Sequence, residues 1–367
     1  MKIGKLDNET LERLVLGRIG KARDEVIVGP GIGEDCAVLD FGEYECVLST
    51  DPITAGASRV GTLAVHISCN DVASNGIEPL AIMLTVLLPP TATEEEVEEI
   101  ARQADAAAKE LGIQIIGGHT EVTDAVTQPL ISAVAIGKGP RRNHNGNHNG
   151  NHNGEHSGDG SICVYERTQT EPSPLCSEPS PPCSPPCSGD LIVVTKKLAL
   201  EGTALAAELK EKDLQPYLTG DEIEQAKAMI RQISVVKEGV IAGGVGVKAM
   251  HDVTEGGVLG AVWEVCARAG TGAEIEAGAL PFDEVTMTIC AVLGLDPMRL
   301  ISSGSMLICV SEKKWEELSE ELNKAGIDAC IVGHVTEKES GITLVMKNGE
   351  REIIGPPGPD EIYSIHK

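Results

Sequence analysis

Residues 143–189 constrain the organisation of this chain more than any other feature. They open with NHNGNHNGNHNG, a four-residue repeat, and run on into EPSPLCSEPSPPCSPPC, rich in Pro and Ser. Neither part has apolar periodicity, so burial cannot offset the entropy of ordering it. The expectation is a disordered insertion, 141–188, between an N-terminal domain, 1–140, and a C-terminal domain, 189–367. At 367 residues the chain is in any case too long for one ordinary hydrophobic core.

Outside the insertion the sequence alternates strand and helix patterns. ECVLSTD (45–51) is β-rich, GTLAVHISCNDVASNGI (61–77) reads as a buried helix, and PLAIMLTVLLPP (79–90) as an apolar strand bounded by prolines. Thr93 and Glu96 form a capping box for a helix over 93–111, which Gly112 stops. IQIIGG (113–118) and LISAVAIG (130–137) are further strands. In the second half, strands are expected at 189–195, 247–253, 305–311 and 327–333. Helices are expected over 220–235, after Gly256-Gly257 and over 312–325, with an extended tail.

Acidic residues outnumber basic ones 56 to 30, giving a net charge of −26. Such a surface repels phosphate backbones and anionic membranes, so nucleic acid and membrane are not expected partners. Carboxylates can nevertheless hold divalent cations, through which an acidic protein binds a phosphorylated ligand. No apolar stretch is long enough to span a bilayer, and MKIGKLDNETLERL lacks the apolar core of a signal peptide. Scattered cysteines among Val and Ile pack as small hydrophobes in a reducing compartment, so a cytoplasmic location is expected.

Several residues have the character of a site. In Gly29-Pro30-Gly31-Ile32-Gly33-Glu34-Asp35, glycines such as Gly31 and Gly33 let backbone approach a phosphate while Asp35 holds a cation; a plain turn is the competing reading. Asp51, Asp71 and Glu121 are isolated acids in small or apolar surroundings, each needing a partner or a metal, or else capping a helix or closing a turn. No lysine-bearing phosphate loop of the form G-x-x-x-x-G-K-[ST] occurs, so any ATP use must rest on a metal–carboxylate cage. In Asp252-Val253-Thr254-Glu255-Gly256-Gly257, glycines open a helix whose free N–H groups form an anion site, or they serve tight helix packing. His251 reads as a proton donor or as a satisfied histidine at a strand end.

GIGEDCAVLD (31–40), STDPIT (49–54), HISCNDVASNGIEPLAIMLTVLLP (66–89) and GGHTEVT (117–123) together resemble the N-terminal domain of the aminoimidazole ribonucleotide (AIR) synthetase superfamily. HDVTEGGVLGAVWEV (251–265) is similar to the glycine-rich signature of its C-terminal domain. The resemblance implies an α/β and α+β architecture of two domains: an N-terminal domain that forms a β-barrel on dimerisation and a C-terminal α/β sandwich-like domain. It further implies ATP with Mg2+ held by Asp35, Asp51 and Asp71, and a site completed by Gly117, Gly118 and either His119 or Glu121. Thr254, Gly256 and Gly257 are implied to face the ATP cleft, with His251 and Asp252 as catalytic candidates. A homodimer with ATP near the subunit interface is also implied.

LALEGTALAAE (198–208) and LGLDPMRLISSGSMLICV (293–310) are most similar to the branch that matures nickel–iron hydrogenases. That branch acts on a cysteine at its own C-terminus, whereas this chain ends Tyr363-Ser364-Ile365-His366-Lys367. The expected function is therefore ATP-dependent phosphoryl transfer that activates an oxygen of a small-molecule or protein substrate. The competing expectation is a nucleotide-binding maturation or scaffold protein whose insertion binds metal through His144, His148, His152, His156, Cys163, Cys176, Cys183 and Cys187.

Overall fold

The computed structural model describes residues 6, 8–54, 57–142 and 185–365. Most of the insertion, with its four histidines and Cys163, Cys176 and Cys183, lies outside them. Cys187 is described: it is exposed, and Lys248 Nζ donates to its Sγ at 3.0 Å.

Two sheets fall on either side of the insertion. The first holds β1 (Val26–Val28), β2 (Ala37–Asp40), β3 (Tyr44–Ile53), β4 (Pro79–Leu88), β5 (Gln114–Val122) and β6 (Leu130–Pro140), in the order β1-β2-β3-β6-β4-β5. Only the β4–β5 pair is parallel. The helix α1 (Val60–Ser74) lies on β3 and β6, and α2 (Glu94–Leu111) packs on α1. Every residue of α1 except Thr62 is buried, which explains why most of them are small or apolar; His66, Asn70 and Asp71 are the larger polar exceptions. The expected capping box of α2 is present, and Gly112 ends the helix in the left-handed region at φ +70°.

The second sheet is built from β7 (Leu191–Thr195), β8 (Ala249–Asp252), β9 (Gly272–Glu276), β10 (Met306–Val310), β11 (Ala329–Thr336), β12 (Ile342–Val345) and β13 (Arg351–Ile353). Its order is β13-β12-β9-β11-β7-β10-β8. Among its helices are α3 (Leu200–Leu209), α4 (Gly220–Ala228), α5 (Val236–Val245), α6 (Gly257–Ala269), α7 (Glu284–Leu293) and α8 (Glu312–Lys324). Helix α6 packs on the face formed by Ile192, Val194, Leu307 and Cys309. The opposite face, with Val193, Met306, Ile308 and Val310, takes α5 and α8. Strands buried on both faces read as continuous apolar runs, as IVV and MLICV do.

Two sequence expectations need correction. The helix expected over 220–235 breaks: α4 gives way to a 3-10 turn at Met229–Gln232, and α5 starts afresh at Val236. Asn70 of α1 causes the break by taking the backbone there, donating to the Ile233 carbonyl and accepting from the Val235 N–H, both at 2.8 Å. The tail is not wholly extended either, because Asp360 caps a 3-10 turn at Glu361–Ser364.

The two halves share packing. Leu200, Ala204, Met229, Ile230, Ile233 and Val236 belong to the same buried cluster as α1 and the first sheet. Helix α5 crosses α1 so closely that a Cβ on Gly239 would lie 2.2 Å from the Ala73 carbonyl oxygen. That glycine contact brings the C-terminal turn of α1 against β8, and with it the acid each carries.

Candidate active site

Asp71 sits in the last turns of α1 and is fully buried, accepting a hydrogen bond from Ser49 of β3. Burial, and then the neighbouring carboxylates of Asp252, Asp51 and Asp35, push its pKa well above the ordinary aspartate value, against the lowering effect of Ser49. Asp252, at the end of β8, is buried and accepts from Ser74 of α1 at 3.3 Å. Asp35 stands on the loop before β2, and its carboxylate, His251 and Asp252 offer ligand atoms within 4.8 Å of one another. Four aspartates from both halves of the chain therefore converge on one place.

His251 is buried among acids. Its Nε2 is 3.1 Å from Glu264 of α6 and 3.6 Å from Asp35, and its Nδ1 lies 2.6 Å from the Asp252 carbonyl oxygen. Burial favours the neutral ring, but Asp35, Glu264 and Asp252 together outweigh it and raise the pKa to about 10. The imidazolium so held has no lone pair for a metal and can donate a proton or stabilise negative charge. A cleft beside it is lined by Gly33, Glu34, Asp35, Ser74, Asn75 and Arg268, among others.

The sequence candidates separate into three groups. Asp35, Asp51, Asp71, His251 and Asp252 come together, and Gly33, at φ +75°, turns the chain just before Asp35. Gly117, Gly118, His119 and Glu121 do not join them within one chain. They lie on β5, the edge strand, separated from β3 by β4 and β6. His119 and Glu121 are exposed there and pair with each other at 3.0 Å. The two glycines, at φ +149° and +145°, take a conformation confined to glycine and carry the strand past a register shift opposite Met83.

The third group favours the packing reading of the glycines over an open anion site. Three N–H groups at the start of α6 already have partners within the chain. Gly256 N–H donates to the Asp360 carboxylate at 2.7 Å, Gly257 N–H to the Thr254 carbonyl at 3.1 Å and Leu259 N–H to the Met298 carbonyl at 3.2 Å. Gly257 serves packing: a Cβ there would lie 2.5 Å from the Met298 carbonyl oxygen.

Ser49, Ser74, Glu264 and Arg268 were not singled out in the sequence, and Glu34 was seen only as part of the glycine-rich run 29–35. A faint signal existed for Glu264, the single acid in the otherwise apolar run VLGAVWEVC.

Family models place these halves in one class. The description "AIR synthase related protein, N-terminal domain" matches residues 33–138, and "AIR synthase related protein, C-terminal domain" matches 188–345. The chain belongs to the AIR synthase related family, in its two-domain form. It is 26% identical over 370 residues to a Methanocaldococcus jannaschii protein provisionally named for hydrogenase expression and formation, covering 97% of this chain and 96% of that one. Carbamoyl dehydratase HypE of Escherichia coli is 25% identical over 319 residues, 86% of this chain and 81% of that one. The crystal structure of hydrogenase maturation protein HypE in complex with ATP has the same fold, with a TM-score of 0.60, 18% identity and coverage of 97% and 93%. The chain is thus nearest in kind to the hydrogenase-maturation branch, and no described helix is long and apolar enough to cross a membrane.

Proposed function

We propose that this protein binds Mg-ATP at the aspartate cluster and transfers a phosphoryl group to an oxygen of an acceptor, so activating it. The observation that carries the reading is the convergence of Asp35, Asp51, Asp71 and Asp252 around a fully buried Asp71. Such a set is costly unless a cation neutralises it, and hard carboxylate oxygens suit magnesium. Asp35, Asp71 and Asp252 would hold the ion, with Asp51 alongside. When bound, magnesium supplies charge neutralisation at the phosphates. Ser49 orients the Asp71 carboxylate, Ser74 orients Asp252, and His251 sits with Nε2 toward Glu264 and Asp35, where it would help to place the Asp35 carboxylate.

The likeness to the HypE structure in complex with ATP supports an ATP-dependent reaction for this chain. The acceptor is a small molecule or a protein group. A second copy of the chain suits the open edge of β5, where Ile116 is exposed near Met83 of β4 and Val122 is exposed at the far end of the strand. Only across such an interface do Gly117, Gly118, His119 and Glu121 have a part in a nucleotide site.

ADP release, followed with carboxamide, phosphate-ester and hydroxyl acceptors, tests the reading. At least one class should stimulate turnover, and Asp252→Asn should abolish it. ATP that binds but is never consumed with any class would instead support a nucleotide-binding scaffold.

A further inference from the structure

Arg268 of α6 and Glu34 of the loop before β2 form an ion pair across the two halves of the chain, with side chains only 9% and 13% exposed. Arg268 Nη1 also donates to the Gly33 carbonyl at 2.8 Å. Gly33 lies against the same helix: a Cβ there would be 3.7 Å from the Glu264 carbonyl oxygen and 3.9 Å from Arg268 Cδ. Four residues before Arg268, and so on the same helical face, Glu264 takes His251, which stands beside Asp35. One face of α6 thus grips residues 33 and 34 directly and flanks residue 35 through His251. Burying a guanidinium costs several kcal/mol in general unless it is paired, so the contact implies a definite geometry.

We propose that Arg268 is a positioning residue for Asp35: it ties the Gly33–Glu34 segment to α6 and thereby sets where the N-terminal carboxylate meets Asp252. The proposal rests on the Mg-ATP reading above and adds to it the element that fixes the inter-domain spacing of the cage. A loop freed from α6 would still carry Asp35, but no longer at the distance one cation needs.

The test is calorimetric titration of ATP, with and without magnesium, into the full chain and its Arg268→Met, Arg268→Lys, Glu34→Gln and Glu34→Gln/Arg268→Met variants. Arg268→Met and Glu34→Gln should each weaken magnesium-dependent binding about tenfold, the scale for residues that orient metal ligands. The double variant should lose no more than the worse single one, because both changes remove the same contact. Lysine should restore part of the loss, and magnesium-free binding should change less than about twofold, within the additivity error of independent sites. Unchanged Mg-ATP affinity in Glu34→Gln and Arg268→Met overturns the proposal. So does an equal loss with and without magnesium that tracks a fall in melting temperature, which marks a purely structural contact. If Arg268→Met does not fold, Glu34→Gln decides by the same criteria. Failure of the unaltered protein to bind Mg-ATP is a different result, and removes the parent reading together with the proposal.

Discussion

Asp71→Asn should lose magnesium-dependent ATP binding by about a hundredfold and yet melt at a higher temperature than the unaltered protein. Both effects come from the same crowding. Burial, and after it the neighbouring carboxylates of Asp252, Asp51 and Asp35, push the Asp71 pKa well above the ordinary aspartate value of 3.8. A carboxyl whose folded pKa exceeds its unfolded one binds more protons when folded, so the native state loses stability as the pH rises above the unfolded value. Asparagine cannot ionise, keeps an oxygen for the Ser49 hydroxyl and removes that loss. The gain should be about 2 kcal/mol in the metal-free protein, or about 4 °C for a domain of this size. Thermal melts at pH 7 without magnesium, beside calorimetry with it, read both quantities. A variant that is less stable at neutral pH would show that the cluster does not repel itself as described.

Glu201 carries the second large effect. It lies in the first turn of α3, 3% exposed. Burial raises its pKa to about 7, against the Ser303 hydroxyl and with help from Asp360, Glu255 and Asp252. Between its ordinary value of 4.5 and about 7 the folded protein holds a proton that the unfolded chain releases. Stability should therefore fall as pH rises through that window, by about 3 kcal/mol at most for this group. In Glu201→Gln the fall should be smaller by that amount, so the variant gains on the unaltered protein at pH 8 but not at pH 4. Denaturant midpoints at the two pH values measure this; parallel pH dependence in both proteins would contradict it.

The parts of the site legible in the sequence are those where a polar residue breaks a small or apolar pattern. Asp71 is the one carboxylate in a helix buried almost all round, and Asp252 ends a short strand four residues before a pair of glycines. Such residues stand out because burying a lone carboxylate is costly. What escaped is set by contacts between distant segments. Arg268 looks like a solvated charge near a helix end until Glu34 is placed beside it, 234 positions earlier in the chain. The Gly256 N–H, one candidate donor for an anion, is taken by Asp360, 104 positions later. The break between α4 and α5 depends on Asn70, from the other half of the molecule. Strand pairing order was equally hidden, and it is what carries His119 and Glu121 to an edge away from the aspartates.

The central claim is a carboxylate cage that binds nucleotide through magnesium. Calorimetric titration of ATP into the purified full chain, with and without magnesium, tests it most directly. Binding should be far tighter with the metal than without it and should saturate at one nucleotide per chain. No heat under either condition, or equal affinity with and without magnesium, would contradict it.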